Sequence, residues 1–148
     1  FKRRTTEEFT QVTEFLKSKG ITYKTLSYGG YNDKDVETLS NKCKFCFMVN
    51  GTESQGIAVQ EIMSTDTPMF VWDIKEWNDQ GDEWRVPATS IPYWSDECGE
   101  VFYNVEDMEK TYDRFYAKID TYQPRKYVEE NLSLKKSVNT LLEILNAA

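Results

Sequence analysis

The sequence predicts an α/β fold with a mainly parallel sheet, and three observations carry that expectation. Phe45 to Val49 is an apolar run of strand composition that meets a turn at Asn50-Gly51 and continues into helix-compatible sequence from about Ser54 to Met63. A second apolar run, Met69 to Trp72, follows that helix almost at once. Strand and helix patterns alternate from the N-terminus through Trp72, an order that calls for parallel pairing with right-handed crossovers. With 148 residues, 39% of them apolar, the chain has the material for one core and reads as a single domain over 1–148.

Taken in order, Phe1 to Arg4 reads as the end of a strand whose beginning is absent. A helix then starts on the capping box Thr5-x-x-Glu8, repeats Phe9, Val12, Phe15 and Leu16 at helical spacing, and stops at Lys19-Gly20. Ile21 to Ser27 alternates as a strand, Gly29-Gly30 turns the chain, and Asp33-Lys34-Asp35 opens a short helix carrying Val36 and Leu39. Next come the strand Phe45 to Val49 and its helix, with Gly56 expected in the first turn. Asp73 to Pro87 has no clean period and is read as a long loop. Ala88 to Ser90 is expected to be a short strand, Pro92 to Glu100 a loop, and Val101-Phe102 a brief pairing. A helix is predicted from about Val105 to Ile119, another from Pro124, and a last one capped by Ser133 with the stripe Val138, Leu141, Leu142 and Leu145.

Composition excludes several classes of function. A net charge of −7 argues against a nucleic-acid surface, which needs clustered Lys and Arg, so the expected partner is a small molecule. No apolar segment approaches the roughly 20 residues of a membrane span, and no signal-peptide core follows Phe1-Lys2-Arg3-Arg4, so the chain is expected to be cytoplasmic. Cys43, Cys46 and Cys98 give a C-x-x-C and one distant thiol, without a histidine to complete a zinc site. Cys46 is read as a core-facing strand residue, Cys43 as the end of a helix, and no metal is expected. Asp33-Lys34-Asp35 is explained by helix capping rather than by metal-bound phosphate.

Glu53 and Glu61, seven residues between them and Ser54-Gln55-Gly56 at the start of the interval, resemble the paired-glutamate signature of retaining GT-B glycosyltransferases, family four in particular. Met63-Ser64-Thr65-Asp66-Thr67-Pro68-Met69-Phe70-Val71-Trp72-Asp73 is similar to the stretch that follows the pair in that family, and Thr89 to Gly99 sits where the family has its next loop. The resemblance covers nearly the whole chain. It implies a Rossmann-like three-layer sandwich, the donor-nucleotide half of a two-domain enzyme, with an N-terminal acceptor domain absent from this chain as its intramolecular partner. It also implies transfer of a sugar from a nucleoside diphosphate sugar, with no cofactor and no metal.

The implied roles fall on particular residues. Glu53 would bond hydroxyls of the transferred sugar and, with Lys2 beside the diphosphate, form the catalytic pair; Arg3 and Arg4 would help bind the donor. A fixed cation there stabilises the charge that the leaving diphosphate gains. Tyr31 would lie against the base, and Ser54, Gln55, Gly56 and Ile57 would line the sugar and phosphate. Glu61 would accept both ribose hydroxyls, a task suited to an acceptor-only carboxylate. A helical rise between the acids would separate them by roughly 12 Å, the reach of a sugar nucleotide. The rival reading is a non-catalytic, Rossmann-like module that binds a phosphate-bearing ligand or a partner through the same rim.

Overall fold

The computed structural model describes residues 4–77 and 84–147. The chain runs α1 (Thr6–Ser18), α2 (Asp33–Ser40), β1 (Cys46–Val49), α3 (Ile57–Ser64), β2 (Met69–Trp72), β3 (Glu76–Trp77), β4 (Val86–Pro87), β5 (Gly99–Phe102), α4 (Met108–Ala117), α5 (Pro124–Asn131) and α6 (Leu134–Ala147). The fold is α/β, with a three-stranded sheet ordered β1-β2-β5 and both pairings parallel. No helix among the described residues is long and apolar enough to cross a membrane.

Side chains of β2 alternate between two cores. Phe70 and Trp72 join Val12, Phe15 and Leu16 of α1 with Met108, Tyr112 and Phe115 of α4, while Met69 and Val71 join Val36 of α2 and Val59, Ile62 and Met63 of α3. Both sides of β2 are covered, which is why its sequence is continuously apolar instead of alternating. The Phe70 ring lies 4.9 Å from Phe102 and 5.4 Å from Phe115, centroid to centroid, in stacked geometry. Its full burial makes Phe70→Ala a loss of about 3–5 kcal/mol. Gly99 begins β5 with φ +150°, and a Cβ there would collide with the Met69 carbonyl. Only glycine lets β5 close on β2 at that point.

Local signals place most helices correctly. Thr5 and Glu8 form the predicted capping box, and Asn32 with Asp35 forms another, so the D-x-D belongs to the start of α2. Cys46 lies in β1 and Cys43 just beyond α2.

Several expectations are corrected. Ile21 to Ser27 joins no β-ladder among the described residues. Ile21 packs on one core and Leu26 on the other, and this segment and β1 both line a cavity of about 700 Å3. The predicted long loop after Asp73 contains a short antiparallel pairing, Glu76–Trp77 against Val86–Pro87. Ala88 to Ser90 is not a strand, whereas Val101-Phe102 belongs to a full parallel strand, β5. The helix predicted from Val105 to Ile119 is α4 flanked by short 3-10 turns at Val105–Asp107 and Ile119–Thr121. The stripe of α6 does not reach the core: no residue of that helix is buried.

Candidate functional site

The N-terminal segment and the β1–α3 loop, both singled out by the sequence, meet at the carboxyl ends of β1 and β2. Ligands of open parallel sheets bind at such an edge. Arg4 fixes the N-terminal segment there. Its Nε donates to the Asn50 carbonyl at 3.0 Å, just beyond β1, and its Nη2 donates to the Trp72 carbonyl at 2.7 Å, the last residue of β2. Nη1 donates to Glu8 Oε1 at 2.7 Å, and only 7% of the Arg4 side chain is exposed. Protein acceptors thus hold the guanidinium on all three nitrogens, a structural occupation for a residue expected to face the donor. Lys2 and Arg3 lie outside the described residues.

Glu53 sits in the loop between β1 and α3, half-buried. Its backbone N–H donates to the Thr89 carbonyl at 3.0 Å, and its Oε1 accepts from Asn50 Nδ2 at 3.4 Å. Ser54 and Gln55 are exposed and precede the helix, and the Gln55 carbonyl accepts from Gln60 Nε2 at 2.8 Å. Gly56 is the N-cap of α3 in the left-handed region, φ +60°, instead of a first-turn residue. The four residues from Glu53 to Gly56 are therefore not helical, and the helical rise does not apply to the whole interval between the acids.

A side chain at position 56 would be strained by that φ and would meet Pro92 Cγ at 3.0 Å. Having none, Gly56 gives α3 no side-chain cap. The first-turn amides, with Ile57 exposed beside them, face the edge at the positive end of the helix.

Glu61 lies one turn from the end of α3, half-buried. Burial, and then the charge of Asp33 at the start of α2, push its carboxyl above the usual value. Tyr31, just ahead of the α2 N-cap, packs half-buried against the core that contains Val36, Val59 and Ile62. The structure thus brings Glu61, Asp33 and the Tyr31 turn to one side of α3, and Glu53 with the Thr89 loop to its N-terminal end. Neither acid lines the 700 Å3 cavity, which opens instead beside Ala58 and Ile62, nor a smaller hollow of about 340 Å3 bordered by Asp73, Thr89, Trp94 and Tyr103.

Sequence reading passed over the group that organises this edge. Asp73, 4% exposed, accepts on Oδ1 from the Ser90 N–H at 2.6 Å and the Ser90 hydroxyl at 2.8 Å, and on Oδ2 from the Thr89 hydroxyl at 2.8 Å. The available signal was an acid placed directly after a buried parallel strand, where a carboxylate needs donors from the loops around it. The thiols offer no comparable chemistry. Burial pushes Cys46 up to about 12 and Cys98 up to about 11, so neither is a thiolate at neutral pH. Among the described residues no cluster of His, Cys, Asp and Glu is placed to hold a metal ion. Comparison with protein-family models, curated proteins and solved structures gives no match to this chain.

Proposed function

We propose that this chain is the donor-nucleotide half of a retaining GT-B glycosyltransferase, a Rossmann-like three-layer domain that binds a nucleoside diphosphate sugar. One observation carries the reading: Glu53 and Glu61 bracket a helix start without a side-chain cap, at the carboxyl edge of a parallel sheet. In this arrangement the diphosphate takes the amides of the first turn of α3, where orphan N–H groups and the helix dipole favour an anion. Glu53 lies toward the sugar and Glu61 toward the ribose, with Tyr31 beyond it for the base. The Arg4 donors are engaged by protein, and the cation that the resemblance assigns to the leaving diphosphate is Lys2, outside the described residues. Transfer to an acceptor needs a second domain to complete the cleft, and the part proposed for this domain is binding the donor.

Titration with UDP and GDP, repeated on Glu61→Ala, tests the assignment. Saturable binding that the substitution removes supports it. An intact fold with no nucleotide binding at millimolar concentration overturns it and favours a non-catalytic binding module.

A further inference from the structure

We propose that Asp73 is a positioning residue for Glu53, acting through the Thr89-Ser90 segment. This inference rests on the nucleotide-sugar reading only for its functional consequence. The chain of bonds starts from the sheet itself, since the Asp73 N–H donates to the Phe102 carbonyl at 2.9 Å and extends the pairing of β2 with β5 by one residue. From that fixed backbone the carboxylate takes three donors from Thr89 and Ser90, at 2.6 to 2.8 Å. The Thr89 hydroxyl in turn accepts the Ile91 N–H at 3.0 Å, and its carbonyl accepts the Glu53 N–H at 3.0 Å.

Hydrogen bonds to an ionised acceptor are short and directional, so they fix this loop more tightly than neutral bonds would. Pro92, two residues beyond Ser90, rests against Gly56, so the same loop also touches the start of α3. Glu61, on the other side of α3, takes no part in this series of hydrogen bonds among Asp73, Thr89, Ser90, Ile91 and Glu53. Loss of the Asp73 charge therefore acts on the sugar-side acid and spares the ribose side.

Two readouts on Asp73→Asn test the proposal. Hydrogen exchange followed by NMR should show the Glu53 amide exchanging about tenfold faster, with the Phe70 and Val71 amides unchanged. Paired titrations with UDP-glucose against UDP, and GDP-mannose against GDP, should show about tenfold weaker binding of the sugar nucleotide that binds, and a clearly smaller loss for its parent diphosphate, which this loop reaches only through Pro92 at Gly56. Unaltered Glu53 exchange, or an equal loss for sugar nucleotide and diphosphate, overturns the positioning role. If the unsubstituted chain binds none of the four ligands, the nucleotide-sugar reading fails, and the exchange measurement still decides whether Asp73 sets Glu53. Should Asp73→Asn not fold, Thr89→Ala removes one of the three donors and is read in the same two ways.

Discussion

Arg4 stands over the ring of Trp72, 5.3 Å from its centroid, while its Nη2 donates to the carbonyl of the same residue at 2.7 Å. One side chain ahead of α1 thereby closes the carboxyl end of β2 and, through Asn50, that of β1. Such a cross-link between the start of the chain and two parallel strands supplies donors to backbone carbonyls of the buried residues Asn50 and Trp72.

Arg4→Met should lower unfolding free energy by about 1.5–3 kcal/mol in urea titration, the range for a charged donor lost from nearly buried acceptors. Arg4→Lys should recover little of it, because a single ammonium cannot reach three acceptors in the directions of a guanidinium. The difference between wild type and Arg4→Met should narrow in acid. Burial raises the Glu8 carboxyl, but the Thr5 N–H and Arg4 outweigh it and hold the group below its usual value. A depressed carboxylate contributes stability above its unfolded pKa and loses it as pH falls through the folded value.

Helix α6 is the opposite case, a regular element that the rest of the described fold does not need. Val138, Leu141, Leu142 and Leu145 are 44%, 54%, 51% and 63% exposed. Ending the chain after Ser133 should change the unfolding free energy by no more than an ordinary surface substitution, about 0.5 kcal/mol. A large destabilisation on calorimetry would mean that this stripe is covered in solution.

Elements with a local cause were legible in the sequence, and those that depend on distant partners were not. Thr5 with Glu8 and Asn32 with Asp35 state their own helix starts within four residues, and the apolar run of β2 states its burial on both sides. Ile21 to Ser27 has strand-like alternation, but a strand exists only where a neighbour accepts its backbone, and no such signal lies within the segment. The α6 stripe has the period of a buried helix, and period alone does not reveal whether anything lies opposite. At the site, the turn after β1 and the acids at 53 and 61 were visible as spacing. The tie from Asp73 to Thr89 and Ser90 spans up to 17 residues and passes through a stretch read as loop, so no local pattern marked it.

The pair Glu61 and Asp33 makes ligand binding and stability depend on pH in the acid range. Burial first, and the Asp33 carboxylate second, raise the Glu61 pKa, so its charged form is disfavoured in the folded chain. In the proposed nucleotide-sugar site, Glu61 accepts both ribose hydroxyls best as the ionised carboxylate. Affinity for UDP or GDP should therefore fall on acidification at a pH above the ordinary glutamate value of about 4.3. Asp33→Asn removes the second cause and leaves the first, so the midpoint should move down without reaching that value. Stability carries the reverse sign from Glu8: a carboxyl raised by folding favours the folded state below its unfolded pKa, and that contribution is lost as pH rises through the folded value. At neutral pH, Asp33→Asn should then stabilise the fold slightly while tightening nucleotide binding in mild acid. Titrations of the unsubstituted chain and Asp33→Asn across the acid range measure the midpoint directly, and coincident curves would show that Asp33 does not act on Glu61.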